Sequence, residues 1–321
     1  MIGAQICNLC GGRESVPPPQ RHGLPLAAQV ANLCSVRRTL DNHSTPSFTR
    51  LMPIPLEDNY TDILGKAMRG LKLDDATVAQ RAGVGVPELQ TLRGGEFNSA
   101  DAAKVAPVLG LNGRALEDLA EKKYSPADVT LDGLAQFNTP FEDMTVNAYL
   151  VWDPKSRDAA VFDTGTDASG ILAEAKAKSL TIRHIFLTHT HGDHIFDLDR
   201  LVEKTRADVW VGDREPVPGA KTFAPGQSWR LGSLEIESRL TWGHSPGGIT
   251  YVISGLSRPV AVVGDSIFAG SMGGGNVSYG DAVKNNLDQI LTLPPATVVC
   301  PGHGPLTTVG EELRSNPFFA K

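Results

Sequence analysis

Long apolar runs are missing from this 321-residue sequence: nowhere do eighteen apolar residues follow one another, and the first thirty positions hold no uninterrupted apolar stretch behind a basic start. A membrane-spanning helix and a secretory signal are therefore not expected, and the cytoplasm is the expected compartment. Cysteine is scarce as well. Cys7, Cys10, Cys34 and Cys300 are too few and too scattered to staple a chain of this size, which fits a reducing compartment. Excess positive charge is also absent. A net charge of -6 gives no general pull toward nucleic acid or an anionic membrane, so a small molecule is the expected partner.

What is present suffices for more than one core, since the chain is long for a single average domain and 41% of its residues are hydrophobic. Residues 1 to 51 stand apart. They carry PPP at 17 to 19, five Arg against one Glu and one Asp, and no sustained periodicity, a composition that predicts a disordered tail dispensable for activity. Cys7 and Cys10 form one CxxC, but two further ligands at zinc-site spacing are lacking. Met52 is a second candidate for the start of the protein.

From Tyr60 to Ala120 apolar residues recur at helical spacing: Ile63, Leu64, Ala67 and Leu71, then Val78, Ala79 and Ala82, then Leu89 and Leu92, then Val105, Val108 and Leu109. Asp74 can cap the second helix and Gly83 can end it. Residues 52 to 123 are thus expected to form a small all-α domain. The run LDDATVAQRAGVGVPELQTLRGG resembles the helix-turn-helix of phage-repressor type, which implies DNA reading from the start of the second motif helix. That start offers Pro87, Glu88, Gln90 and Thr91. Glu57 to Lys123 holds nine Lys and Arg against eleven Asp and Glu, a net of -2, where phosphate contacts demand a cationic face. Charge therefore favours a structural or homodimerising role over nucleic-acid binding.

The polar stretch EKKYSPADVTLDG at 121 to 133 marks the expected boundary, and residues 134 to 321 the second domain. Short apolar strands then alternate with helical segments: NAYLVW, AAVFDTG, IRHIFLTH, DVWVG, SLEIESRL, GITYVIS, PVAVVGD and TVVCPGHG, with helices near 169 to 179, 195 to 206 and 281 to 292. This rhythm predicts an α/β fold of sheets covered by helices.

Residues 187 to 199 read LTHTHGDHIFDLD. His189, His191, Asp193 and His194 place four ligand-type side chains in six positions, using three of only eight histidines in the chain. The apolar strand before them is a rigid mount, and the turn at its carboxyl end can aim several imidazoles at one point. Three more strand ends carry such residues beside glycine or proline: His244 in TWGHSPGG, Asp265 in VVGDSIFAG and His303 in CPGHGP.

This ordered set, HxHxDH followed by a later His, a later Asp and a last His, resembles the metallo-β-lactamase superfamily over residues 138 to 319, which implies an αββα sandwich. By that resemblance His189, His191 and His244 hold one metal ion, Asp193, His194 and His303 hold a second, and Asp265 bridges both. Asp163 in VFDTGTD matches the acidic residue behind the site that orients ligands. Two divalent ions, zinc first with iron or manganese as alternatives, would share a water and lower its pKa toward about 7 from about 16, leaving a hydroxide as nucleophile. Asp193 and Asp265 are the expected catalytic carboxylates. Cys300, in an apolar run, reads as a core residue.

Within the superfamily, GDSIFAGSMGG and PGHGPLTTVGEELRSNPFF look most like the glyoxalase II-like hydrolases, which implies an acyl-thioester substrate. The arginine usual after the glycines is absent, the region reading MGGGNVSYG, and only 18 residues follow His303, so the helical domain that helps hold glutathione in the full-length enzymes has no counterpart there. Asn276 and Tyr279 in that loop are candidates to face the substrate carbonyl oxygen. Residues 266 to 283 contain no Lys or Arg, which predicts loose recognition of the thiol half. The alternatives are a lactonase, a β-lactamase, a one-iron persulfide dioxygenase, or a DNA-binding regulator with a ligand-sensing hydrolase-like domain.

Overall fold

The computed structural model describes residues 54–321; the expected tail at 1 to 51, with its CxxC, lies outside them. Five short helices come first: α1 (Tyr60–Leu71), α2 (Asp75–Ala82), α3 (Val86–Arg93), α4 (Ser99–Val108) and α5 (Gly113–Ala120). Their limits are chemical. Asn59 and Asp62 form a reciprocal capping box on α1, Asp74 accepts the Thr77 N–H at the start of α2, and Gly83 closes α2 in the left-handed conformation. The apolar positions spaced for helices make one core, in which Ile63, Leu64, Val78, Leu89, Val105 and Leu116 are fully buried; Leu71, expected among them, is exposed at the end of α1. Among the described residues no helix is long and apolar enough to cross a membrane.

Two six-stranded sheets follow. The first runs β1 (Leu134–Phe141), β2 (Met144–Trp152), β3 (Asp158–Phe162), β4 (Thr181–Phe186), β5 (Asp208–Gly212) and β6 (Lys221–Phe223), antiparallel to β3 and parallel beyond it. The second has spatial order β12 (Thr307–Thr308), β11 (Val298–Pro301), β10 (Val260–Gly264), β9 (Ile249–Ser254), β8 (Leu234–Leu240) and β7 (Ser228–Leu231), with β10 and β11 parallel. Their inner faces meet in a core rich in aromatics, including Tyr149, Phe162, Phe186, Trp229 and Tyr251. Strand β2 is buried on both faces: Tyr149 and Val151 point into this core, whereas Leu150 and Trp152 join the outer layer. That is why NAYLVW reads as a continuous apolar run rather than an alternating one.

Helices α6 (Ser169–Ala177) and α8 (Leu198–Thr205) cover the first sheet through Ile171, Leu198 and Leu201. The second is covered by α9 (Tyr279–Asn285), its π-helical continuation Asn286–Ile290 and α10 (Val309–Ser315). The arrangement is an αββα sandwich with helices in front. The helix expected near 195 to 206 is divided, because a single helical turn, α7 (Gly192–Ile195), precedes α8. The strands β1, β6, β7 and β12 were absent from the sequence reading; they are short or only half-buried and so carry little apolar signal.

The helical segment and the sandwich are joined by hydrogen bonds and shared packing. Asn112 N–H donates to the Pro317 carbonyl, Tyr124 Oη–H donates to Glu312, and Phe318 packs against both the helical core and the outer core of the second sheet.

Candidate metal centre

Five strands end at one rim. Asp163 follows β3, His189 and His191 follow β4, His244 lies in the loop from β8 to β9, Asp265 follows β10 and His303 follows β11. Asp193 and His194, expected in a turn, sit instead in α7, whose helical backbone sends both toward the same point. The structure thus brings all seven residues named from the sequence together. They fall into two groups, His189, His191, His244 and Asp265, and Asp193, His194 and His303, within each of which the ligand atoms lie within 4.8 Å of one another.

Asp265 stands between the groups. Its Oδ2 is 3.3 Å from His244 Nε2 and 3.4 Å from His303 Nε2, and its Oδ1 is 3.3 Å from His194 Nε2. Asp193 Oδ2 lies 3.4 Å from His303 Nε2 and 3.5 Å from His194 Nε2.

The outer hydrogen bonds fix which ring nitrogens face inward. His194 Nδ1 donates to Asp163 Oδ2 at 2.8 Å, His303 Nδ1 to the Thr145 carbonyl at 2.6 Å and His244 Nδ1 to the Gly274 carbonyl at 3.0 Å. Thr188 donates its hydroxyl proton to Asp163, so its oxygen accepts from His189 Nδ1 at 3.0 Å. In the neutral ring each Nε2 is left with a lone pair. His191 Nδ1 sits 3.0 Å from His189 Nε2 and 3.1 Å from His244 Nε2, a convergence of basic nitrogens that a cation would satisfy. His194 Nε2 and Asp265 Oδ1 are buried and make no hydrogen bond. Buried polar atoms are rarely left so, and these donors fit divalent ions.

The protonation states differ between the two groups. Burial, with help from His194, holds the His189 imidazole well below its ordinary value, so it is a neutral ligand. Burial, the largest single influence, opposes charge on His194 and His303, but Asp265 together with Asp163 beside His194, and with Asp193 and the Thr145 carbonyl beside His303, raises them to about 10 and about 11. The pocket calls for positive charge.

Asp163 was read from the sequence as the orienting acid, and its contacts are of that kind: it takes the Thr188 N–H and hydroxyl and the His194 ring from a backbone at φ +56°. Such left-handed backbone is tolerated by Asp and occurs where a site demands it. Gly302 is required for a different reason, since a Cβ there would lie 2.1 Å from Asp265 Oδ1. Sequence reasoning missed Glu215, which accepts from the Thr190 and Ser245 hydroxyls and the Gly247 N–H and so ties the two histidine loops together.

Asn276 and Tyr279 are placed less directly. They line a cavity of about 540 Å³ between the glycine-rich loop and α1. Tyr279, expected to face a substrate carbonyl, lays its ring on Gly70 of α1, where an added Cβ would come within 2.3 Å of it. The same cavity is lined by Lys66, Arg69 and Lys72, cations that the loop itself lacks. A search confined to neighbours in sequence could not find them.

The chain belongs to the metallo-beta-lactamase superfamily, whose profile matches residues 142–303. It is 26% identical over 198 residues to hydroxyacylglutathione hydrolase GloC of Haemophilus influenzae, covering 54% of this chain and 92% of that one. Among solved structures it resembles the BLEG-1 B3 metallo-beta-lactamase (TM-score 0.51, 28% identity, 58% of this chain and 100% of that chain) and ETHE1 from Myxococcus xanthus (TM-score 0.51, 26% identity, 57% and 83%).

Proposed function

We propose that this chain is a metal-dependent hydrolase of acyl thioesters. The observation that carries the reading is the pair of ligand groups meeting at Asp265, in a chain whose GDSIFAG segment follows the glyoxalase II-like pattern. His189, His191 and His244 would hold one divalent ion, Asp193, His194 and His303 a second, and Asp265 both; zinc is the first choice, with iron and manganese also suited to these donors. Such ions, when bound, supply a water activated near neutral pH and polarise a carbonyl.

The protein's own part is positional. Asp163, Thr188, the Thr145 carbonyl and the Gly274 carbonyl lock the imidazoles with Nε2 inward, and Asp193, kept below the usual carboxylate range by the neighbouring His303 and His194 although burial opposes it, is placed to orient a nucleophile. Cys300 takes no part: it is fully buried and burial pushes its thiol up. The thioester assignment is supported by likeness to the Haemophilus influenzae hydroxyacylglutathione hydrolase over most of that protein's length.

DNA reading is not favoured. Arg93, the cation of α3, is paired with Asp75, which also accepts from Gln90. The test is a panel of thioesters, lactones and β-lactams assayed on metal-loaded protein, beside a gel-shift on genomic fragments. Thioesters should be cleaved best, and no shift should appear. A β-lactam or lactone turned over faster than every thioester would replace the reading.

A further inference from the structure

We infer that the cavity between α1 and the loop at 273 to 280 is a subsite for the anionic end of the substrate, so that the thiol half carries carboxylates or phosphates; this rests on the thioesterase reading above. The cavity is large enough for a small-molecule fragment, at about 540 Å³. It adjoins the metal centre through one residue: Gly274 forms part of its lining, while the Gly274 carbonyl takes the His244 Nδ1 proton at 3.0 Å.

Its charge is one-sided. Lys66, Arg69 and Lys72 line it, and no described lining residue is acidic, in a chain whose net charge is -6. Spacing of three along and just past α1 puts these cations on one face. They do different work. Lys66 pairs with Asp58, donates to the Met272 carbonyl at 2.9 Å and lies 5.1 Å from the Phe268 ring centroid, so it pins the helix to the loop. Arg69 and Lys72 are exposed and, among the described residues, form no ion pair. The nearby carboxylates are engaged elsewhere, Asp75 with Arg93 and Asp74 with the Thr77 N–H. Asn276, on the facing loop, adds a neutral donor. An anion entering here would meet Lys66 and two exposed cations, Arg69 and Lys72, which also border the adjoining cavity that holds Asp74 and Asp75.

Such a subsite departs from the expectation of loose recognition, which was read from the loop alone; the cations come from a segment some two hundred positions away in sequence.

The experiment compares thioesters of one acyl group on three thiols: glutathione, with carboxylates; coenzyme A, with phosphates; and N-acetylcysteamine, uncharged. The parent should favour one charged thiol over the neutral one by at least about tenfold in kcat/KM, and which one identifies the anion. In R69A/K72A the KM for that ester should rise about tenfold or more, with kcat and the neutral ester little changed, and R69K should recover part of the loss. Equal loss on all three esters would show a structural role and overturn the proposal. So would a parent indifferent to charge. Calorimetric titration with S-methylglutathione and with free coenzyme A separates the two readings: if no thioester is cleaved but one of these binds the parent and not R69A/K72A, the subsite stands while the reaction class falls. Binding of neither to the parent sinks the subsite.

Discussion

Asp265 carries more of the site than any other side chain, because its two oxygens reach toward both ligand groups and one of them has no hydrogen bond in the protein. Asp265→Ala should lose at least one equivalent of bound metal and most activity while the fold persists; near-parental turnover with two metals per chain would refute the assignment. Asp163 acts one step back, and Asp163→Asn, which offers His194 a poorer acceptor, should cost about 10- to 100-fold in metal affinity or activity. The HxHxDH ligands were legible because they crowd a few positions of the sequence, whereas Thr188 and Glu215 act through neighbours that only folding supplies. Glu312 gives a residue-scale test of pH. Burial pushes its carboxyl up to about 7 from 4.5, against donors from Thr307, Asn316, Gly270 and Tyr124. The folded chain then binds the proton more tightly than the unfolded chain, so this group's contribution to stability is fully present below about 4.5 and is lost as pH rises through about 7. The loss is about 3 kcal/mol at most. Glu312→Gln cannot ionise, and the difference in unfolding free energy between variant and parent should change across that window; a difference independent of pH would remove the effect.

Among the elements, the strands that end at the metal centre were the readable ones, since β10 and β11 are buried and spell apolar runs and β4 ends in the buried pair Ile185 and Phe186. β1 and β12 were unreadable for the opposite reason, lying at sheet edges where half-buried or very short segments need no such pattern. The helix α7 escaped because four residues cannot establish a helical period. Element packing also supports His244. Gly243, just before it, has φ +131°, and a Cβ there would lie 2.5 Å from the Ala282 nitrogen in α9. Its carbonyl accepts the N–H groups of Val277 and Ser278, which hold the glycine-rich loop. Gly243→Ala must therefore push α9 and the loop away together. It should destabilise the chain by about 1 to 3 kcal/mol and lower activity further than that loss of folded protein explains, because His244 moves with the loop. Denaturant unfolding and metal content at one temperature check it, and an active variant of parental stability would show that the loop is not a support for the ligand.

At the scale of the whole molecule, composition indicated two folded units, and the described residues 54–321 fall within one compact unit. The change at 121 to 133 from helical to mixed structure was visible in the sequence as a polar, Pro-containing stretch, but the contacts that cross it were not. They join ordinary residues whose partners lie far along the chain: Asp58 with Ser271, Lys66 with the Met272 carbonyl, Asn112 with Pro317, Tyr124 with Glu312, and Ala127 with Glu311. Phe318 adds an apolar link, being packed on the helical core and on the outer core of the second sheet at once. Cooperativity follows from this sharing, since melting the five helices alone would expose Phe318, leave the buried Glu312 short of a donor and free the loop that holds His244. Calorimetry of the metal-loaded chain should therefore show one unfolding transition, with calorimetric and van't Hoff enthalpies in agreement. Deleting residues 54–123 should not leave a stable hydrolase behind: the remainder should lose metal and aggregate or melt well below the parent. Two resolved transitions, or a truncated chain that keeps both metal ions and parental turnover, would show that the helices are an appendage rather than a wall of the enzyme.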